Sequence, residues 1–190
     1  MILASTNPHK LAEVRAILNL PIELAPADLP EVVEDATSFT GNALIKARAA
    51  CQATGEIALA DDSGLCVDVL GGAPGIFSAR WAGVHGDDEG NLRLLLTQLA
   101  DMKPENRGAS FRCVAVACFP DGSEIVAEGR LPGSLATAPR GEGGFGYDPI
   151  FVPAGSKLTI AEMSAEHKNE ISHRGAAFRE LAKRLRRRKH

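Results

Sequence analysis

The sequence predicts a mixed α/β domain in which helices flank a central sheet. Short apolar segments alternate with segments whose apolar residues recur at helical spacing, beginning with a strand at residues 1–4 and a helix through Leu11 and Leu18. The stretch Phe111–Phe119 is almost continuously apolar, as expected of a strand that is covered on both faces. A length of 190 residues with 45% hydrophobic residues fits one globular domain spanning residues 1–190.

The remaining elements are predicted from caps, periodicity and turns. Ser38 is a helix N-cap, because apolar residues follow it on one helical face as far as Cys51. Residues 57–61 form a strand that ends at a pair of carboxylates. The other predicted elements are a strand near residues 22–25, a segment at 65–70 that extends the 57–61 strand or forms a new one, a helix beginning at Asp87 and Asp88, a hairpin turn at Asp121-Gly122 with a return strand over 124–130, a long loop over 132–149 and a final helix over 171–187.

The adjacent carboxylates Asp61 and Asp62 are the most informative feature of the chain. Two like charges at the end of a buried strand are unfavourable unless a cation or a proton offsets them. In open α/β sheets, ligands bind outside the carboxyl ends of the strands. The pair therefore indicates either a site for a divalent metal and an activated water, or a polar strand end whose aspartate caps the next turn.

The segment Ser5–Lys10 has the pattern of a loop that leads from a strand into a helix. Asn7 is a good N-cap, and Pro8 suits the first helical position. Free N–H groups at such a helix start bind anions, and Lys10 in the first turn adds a cation that opposes the helix dipole unless an anion is bound. The pattern fits a phosphate site, and it equally fits an ordinary capped helix with an exposed lysine.

The glycine-rich segment Gly141–Gly146 matches GxGxxG by letter only. Pro139 precedes it and residues 147–149 end in proline, so the preceding strand and the following helix of a dinucleotide fingerprint are missing. A dehydrogenase is therefore disfavoured. The segment is either a loop that displays Phe145 for stacking on a nucleobase, or a surface loop with Phe145 packed inward.

Charge, cysteine content and hydropathy limit the class of protein. Residues 183–190 hold six of the 21 basic side chains, which leaves the rest of the chain with a formal charge of −9. No aromatic residue lies among these basic residues, so we expect a solvated helix end, with an RNA- or membrane-binding tail as the alternative.

The four cysteines lack CxxC spacing and are expected to be buried thiols of a reducing compartment. With no signal peptide and no apolar run of membrane-spanning length, we expect a cytoplasmic location.

Six motifs of the chain occur together in a known order. They are S-x-N-x-x-K at 5–10, S-F-x-x-N-A-x-x-K-A at 38–47, A-D-D-S-G-L at 60–65, L-G-G-A-P-G-I-x-S-A-R at 70–80, G-G-F-G-Y-D-P-I-F at 143–151 and I-S-H-R-G at 171–175. In these motifs the chain resembles the inosine/xanthosine triphosphate pyrophosphatase family, whose substrates are noncanonical purine nucleoside triphosphates. The resemblance runs almost from end to end.

The resemblance implies a fold, an activity and partners. The fold is a long twisted central sheet with flanking helices that form two lobes around a nucleotide cleft. The activity is Mg²⁺-dependent hydrolysis of ITP, dITP and XTP to the monophosphate and pyrophosphate, by a cytoplasmic homodimer with no nucleic-acid or membrane partner. The alternatives are a house-cleaning pyrophosphatase with another base preference and a non-catalytic nucleotide- or RNA-binding module.

The resemblance also implies roles for individual residues. Asp62 would accept the proton of the attacking water and, with Glu34, would bind the metal. The residues implied to bind the substrate are Ser5, Thr6, Asn7, Pro8, His9 and Lys10 at the triphosphate, Lys46 near the phosphates, Ser63, and Phe145, Gly146, Tyr147, Asp148, Lys168, His173 and Arg174 around the base. A buried donor aimed at the base O6 would reject adenine, and His173 and Arg174 are the candidates for that donor.

The chain departs from the family pattern at one position. The family usually reads F-x-E-N-A, whereas this chain has Gly41 between Thr40 and Asn42. A carboxylate close to the implied metal is therefore missing, while the implied pair of Glu34 and Asp62 is retained.

Overall fold

The structure, a computed structural model, describes residues 1–5, 8–26, 29 and 32–188, with the backbone alone at residues 8, 9 and 13. The helices are α1 (Pro8–Leu18), α2 (Phe39–Thr54), α3 (Asp88–Gln98), α4 (Ala165–Ile171) and α5 (His173–Arg188). The strands are β1 (Ile2–Leu3), β2 (Glu23–Leu24), β3 (Ala58–Val67), β4 (Gly108–Cys118), β5 (Glu124–Leu135) and β6 (Phe151–Pro153). In the part of the chain that is described, no helix combines the length and apolar composition needed to span a membrane.

Over the described residues, six strands form one mixed sheet in the order β2-β1-β3-β4-β5-β6. Strand β1 pairs in parallel with β2 and β3, whereas β5 and β6 are antiparallel, with Leu135 opposite Phe151. The tight turn at Asp121-Gly122 joins β4 to β5 as predicted, and Phe119 donates its N–H to the Ser123 carbonyl. The predicted mixed α/β class is therefore confirmed.

Several predicted boundaries were wrong. Strand β3 does not end at Asp61 but runs on to Val67, so both carboxylates lie within a continuous strand. The alternative in which the 65–70 segment extends the 57–61 strand is thus confirmed as far as Val67. Strand β5 continues through Pro132 to Leu135, which shortens the predicted loop over 132–149. Strand β6 and helix α4 were not predicted, because three and seven residues are too short to show a periodicity. Helix α5 starts at His173 rather than at residue 171.

The described chain divides into two compact units. Unit 1 comprises Met1–Asp62, Cys113–Gly129 and His173–His190, and unit 2 comprises Ser63–Arg112 and Arg130–Ser172. Each unit is thus built from segments that are distant in sequence. The prediction of a single domain over 1–190 stays a prediction.

The core of unit 1 lies on both faces of the strands. On one face, Leu59 and Cys113 pack with Val14 of α1 and Phe178 of α5. On the other face, Ala58, Ala60, Val114 and Val116 pack with Ala43 and Ala47 of α2. Successive strand residues alternate between these clusters, as side chains of a pleated strand must. For residues 113–118, the expectation of a strand covered on both faces is confirmed.

The core of unit 2 contains a buried arginine. Arg107 is 2% exposed, and its guanidinium donates to the carbonyls of Leu99, Leu135 and Ala136 at 2.7 to 2.9 Å. Burial lowers the pKa of Arg107. The guanidinium N–H groups thus connect the end of α3 with the end of β5. This connection lies beside the core that contains Leu95, Ile150 and Phe151.

Candidate active site

Asp61 and Asp62 point to opposite faces of the sheet. Asp61 follows Leu59 by two residues and shares its face, which α1 and α5 cover. Asp62 follows Ala60 and shares the face that α2 covers. The prediction of two like charges side by side at a strand end is therefore corrected: the ion pairs of Asp61 are with Lys10 and Arg174, whereas the ammonium group near Asp62 is that of Lys46.

Asp61 is the buried centre of a charge cluster in unit 1. Its side chain is 1% exposed and forms ion pairs with Lys10 through Oδ1 and with Arg174 through Oδ2, the latter at 3.3 Å from Nε. The Cys113 thiol lies 3.8 Å from Oδ2. Burial by itself raises the pKa of Asp61, but Lys10 and then Arg174 outweigh burial and hold that pKa at about 2.

The ion pair with Asp61 accounts for Lys10 without a bound anion. A lysine in the first turn of α1 opposes the helix dipole, and a buried carboxylate offsets that effect. Burial raises the pKa of the neighbouring Cys113 thiol well above its usual range. Helices α1 and α5 thus each contribute one cation to the buried Asp61 carboxylate.

Arg174 is held in place by close packing of α5 on β5. A Cβ atom at Gly129 would lie 2.0 Å from the His173 carbonyl oxygen and 2.4 Å from the Ala177 nitrogen. The absence of a side chain at Gly129 therefore lets the start of α5 approach the backbone of β5. This approach fixes the helical turn that carries Arg174.

Asp62 forms a second polar cluster in unit 1, on the α2 side. Asn42 Nδ2 donates to Asp62 Oδ2 at 3.1 Å, and Lys46 Nζ lies 4.0 Å from Asp62 Oδ1. Lys46 also pairs with Glu34 Oε2 at 3.0 Å. Helix α2 places Asn42 and Lys46 on one face because they are four residues apart. Two carboxylates therefore meet at one ammonium group.

The chemistry of this donor set fits Mg²⁺. Glu34 and Asp62 supply hard oxygen ligands, and each carboxylate oxygen has a second lone pair beyond the one used by a hydrogen bond. Over the described residues, no group of three or more His, Cys, Asp or Glu side chains could hold a metal ion by itself. A Mg²⁺ ion bound by two carboxylates normally completes its shell with water and substrate phosphate oxygens.

In unit 2, Phe145, Asp148 and Lys168 form a third cluster. The Phe145 ring is 64% exposed, and Lys168 Nζ lies 4.6 Å from its centroid. Asp148 is buried, and its Oδ2 accepts from Lys168 Nζ at 2.6 Å and from the Phe145 N–H at 3.0 Å. One carboxylate oxygen thus fixes both the exposed aromatic ring and the cation beside it. Of the two interpretations of Phe145, packing inward is wrong.

The loop on either side of Phe145 is tied to the rest of unit 2. Gly146 donates its N–H to Asp88 at the start of α3, at 2.9 Å. Tyr147 is 5% exposed, and its hydroxyl donates to the Ser78 carbonyl at 2.9 Å. Burial raises the pKa of Tyr147, and Asp88 adds to the shift. Tyr147 therefore anchors the loop in the core.

Comparison with known proteins decides the family. The Ham1 family profile matches residues 1–184.

The chain belongs to the Ham1 family.

Relatives of the chain carry a common name. A dITP/XTP pyrophosphatase of Streptomyces coelicolor is 58% identical over 188 residues, which cover 95% of this chain and 94% of that protein. Another, from Leifsonia xyli, is 53% identical over 181 residues and covers 94% of this chain and 91% of that protein. The resemblance drawn from the six motifs is thus confirmed.

Solved structures of two related proteins have the same fold as this chain. The Ham1 protein of Staphylococcus aureus superposes with a TM-score of 0.91 at 37% identity over 98% of both chains. The nucleoside-triphosphatase, or dITP/XTP pyrophosphatase, of Mycobacterium abscessus does so with a TM-score of 0.81 at 50% identity over 97% of both chains.

The implied substrate residues of the Ham1 motifs fall into three groups. Ser5, Lys10, Lys46, His173 and Arg174 lie in unit 1, whereas Ser63, Phe145, Gly146, Tyr147, Asp148 and Lys168 lie in unit 2. Thr6 and Asn7 lie outside the described residues, as do the side chains of Pro8 and His9. The roles of all these residues stay predictions.

The resemblance gave no role to Asp61 or Asn42, and Asp61 was predicted only as a member of a candidate metal-binding pair with Asp62. The alternative in which the 65–70 segment extends the strand, combined with the alternation of strand side chains, could have placed Asp61 and Asp62 on opposite faces. The spacing of Asn42 and Lys46 in the second motif could have placed both on one helical face. The contacts with Lys10, Arg174 and Ala36 needed the fold itself.

Proposed function

We propose that this chain hydrolyses noncanonical purine nucleoside triphosphates (ITP, dITP and XTP) to the monophosphate and pyrophosphate. The observation that carries the proposal is the Asp62 carboxylate, held by Asn42 and close to Lys46, in a chain whose relatives are named dITP/XTP pyrophosphatases. A fixed carboxylate with a cation and a second carboxylate nearby is suited to a polyanionic substrate that binds together with a metal.

In the proposed reaction, Asp62 accepts a proton from water while the water oxygen attacks the α-phosphorus. A bond forms between that oxygen and the α-phosphorus, and the bond from the α-phosphorus to the bridging oxygen of the β-phosphate breaks. Pyrophosphate leaves with the electron pair of the broken bond, and the nucleoside monophosphate remains. The hydrogen bond from Asn42 to Asp62 Oδ2 and the Lys46 ammonium 4.0 Å from Oδ1 support this role, because they fix the direction of the carboxylate.

Positive groups neutralise the phosphates in this proposal. Mg²⁺ held by Glu34 and Asp62 would offset phosphate charge and polarise the reacting phosphoryl group. Lys46 already faces both carboxylates, so it can donate to a phosphate that arrives beside them. Lys10 pairs with Asp61, and an ammonium group has further donors beyond that ion pair.

The purine base would be recognised by stacking and by hydrogen-bond donors. The exposed Phe145 ring offers a stacking face, and Lys168 is held beside it by Asp148. His173 and Arg174 are proposed as donors to the base O6. A 6-amino group would leave these donors facing donors, which a polar site rejects strongly.

A cytoplasmic homodimer that acts on small molecules, without a nucleic-acid or membrane partner, completes the proposal. The basic end of α5 supports the absence of an RNA-binding role. Arg184 donates to the Val126 carbonyl at 2.6 Å, and Arg188 pairs with Asp121 at 2.6 Å and stacks over Phe119. The described basic side chains at this end of α5 are exposed, so the expectation of a solvated helix end is confirmed, and two of them also make contacts within unit 1.

The test is pyrophosphate release in the presence of Mg²⁺ from ITP, dITP, XTP, GTP, ATP and dTTP. Selective turnover of the first three, lost when Mg²⁺ is removed by a chelator, is the expected result. Preferred turnover of another base would keep the mechanism and replace the substrate class. No turnover by folded protein would overturn the proposal.

A further inference from the structure

Asn42 is a buried side chain for which the proposed reaction has no direct use. It is 1% exposed and lies in the first turn of α2. Its Oδ1 accepts from the Ala36 N–H at 3.0 Å, and its Nδ2 donates to Asp62 Oδ2 at 3.1 Å. Both ends of the amide are therefore engaged, one by backbone and one by a carboxylate.

The two contacts of Asn42 join parts of the chain that are far apart in sequence. Ala36 lies two residues after Glu34, and Asp62 lies in β3. One helical turn further along α2, Lys46 repeats the connection, because it contacts both Glu34 and Asp62. Two side chains of helix α2, Asn42 and Lys46, thus each connect Asp62 with the Glu34 segment (residues 34–36).

Gly41 allows the Glu34 segment to approach α2. A Cβ atom at Gly41 would lie 2.5 Å from the Ala36 Cβ and 3.3 Å from the Ser38 Oγ. The first of these distances is too short for two carbon atoms, so any side chain at position 41 would displace Ala36. The glycine that stands where the family usually has glutamate therefore leaves Ala36 in the position from which its N–H donates to Asn42.

We propose that Asn42 is a positioning residue that sets the spacing of the Glu34 and Asp62 carboxylates, and that Gly41 makes this spacing possible. The inference rests on the proposed function in that it takes these two carboxylates as the metal ligands. Partners that orient metal ligands typically change metal affinity or activity about 10–100-fold when they are replaced.

The experiment measures Mn²⁺ binding to the full chain by electron paramagnetic resonance, together with kcat and KM for ITP. Asn42→Leu keeps the branched shape of the side chain and removes the amide, and Asn42→Ala removes both. We expect Mn²⁺ Kd to rise about 10–100-fold in each, with kcat reduced to a similar degree. We expect KM for ITP at saturating metal to change little, because the Asn42 amide spends its hydrogen bonds on the Ala36 N–H and on Asp62.

Gly41→Ala provides a second route that leaves the amide and the carboxylates intact. It is expected to weaken Mn²⁺ binding, because the added methyl group displaces Ala36, while alanine in place of glycine favours the helix. Ser38→Ala is the matched control. It removes the N-cap bond to the Gly41 N–H and so lowers Tm, but it is expected to leave Mn²⁺ Kd as in the wild type.

Each outcome separates this inference from the proposed function. If Asn42→Leu and Gly41→Ala bind Mn²⁺ as tightly as an active wild type, the positioning role is overturned and the proposed function stands. If both variants lose Mn²⁺ affinity but the wild type hydrolyses none of the nucleotides, the positioning role stands and the proposed function is overturned. A wild type without Mn²⁺ affinity overturns the inference, and so does a Ser38→Ala variant that loses affinity to the same extent.

Discussion

Arg174 forms an ion pair with Asp61, and this contact joins helix α5 to strand β3 across 113 residues of sequence. Asp61 is almost fully buried, and the Lys10 ammonium lies on its other oxygen. Breaking such a cluster from one side leaves charges without a partner in a site of low polarity. Replacement of a single member of a buried ion pair is typically destabilising by about 3–5 kcal/mol.

Asp61→Asn is therefore expected to lower the free energy of unfolding and to change its pH dependence. Because the pKa of Asp61 is lowered from 3.8 to about 2, its stabilisation is complete above about pH 5 and is lost as the pH falls through 3.8 to the folded value. A shift of this size corresponds to about 2 kcal/mol. Urea unfolding of metal-free protein between pH 2 and 6 measures the effect as the difference between wild type and variant. An equal pH dependence in both would contradict it.

Asp62→Asn is expected to reduce kcat about 10²–10⁴-fold, because an amide cannot accept the proton of the attacking water. The fold should persist, since the amide oxygen can still accept from Asn42 Nδ2 and Lys46 keeps its ion pair with Glu34. The measurement is pyrophosphate release from ITP at saturating substrate and metal. Glu89→Gln, which alters an exposed carboxylate paired with Arg93, is the control and should be fully active. Near-wild-type turnover by folded Asp62→Asn would remove Asp62 as the proton acceptor.

Phe145→Ala is expected to raise KM for ITP without lowering stability. The ring is 64% exposed, so little apolar surface is lost from the core, whereas stacking of a base on an aromatic ring is worth about 1–3 kcal/mol. Leu158→Ala, at a residue of unit 2 that is 49% exposed, is the matched control. If both variants show the same KM as the wild type, Phe145 does not stack on the base.

The cysteines are expected to resist thiol reagents in the native protein. All four are buried, and burial, with Glu124 nearby, raises the pKa of Cys118 to about 12. At pH 8 the Cys118 thiol is therefore almost wholly protonated and unreactive. A colorimetric disulfide reagent should label four thiols per chain in urea and very few without it. Rapid labelling of the folded chain would show that one of these sites opens readily.

The sequence predicted the fold class and the neighbourhood of the site, but not how the two carboxylates are used. The A-D-D-S-G-L motif located Asp61 and Asp62, yet the apolar run before them conceals which residue faces which helix. Ala58, Leu59 and Ala60 are all apolar because both faces of β3 are covered, and only the packed helices distinguish the faces.

Sequence patterns did not predict the contacts between segments that are distant in the chain. Lys168 and Phe145 were both singled out, but the Asp148 oxygen that holds them together becomes evident only when the loop and α4 are folded. In the sequence, Asn42 could be identified only as part of a motif. Its proposed role depends on a hydrogen bond from the Ala36 N–H, and a sequence pattern does not show which side chain a backbone N–H contacts.

The division of unit 1 into three separate segments has a consequence for biosynthesis. Phe178 and Leu181 of α5 close the same core as Leu3 and Val14, so this core cannot be completed until residues after 172 have left the ribosome. Until then, the apolar face of α1 and its strands lacks its cover, and Asp61 lacks Arg174. A ribosome that stalls before α5 would thus present the quality-control machinery with a chain that already contains Glu34 and Asp62 but whose unit 1 core is still open.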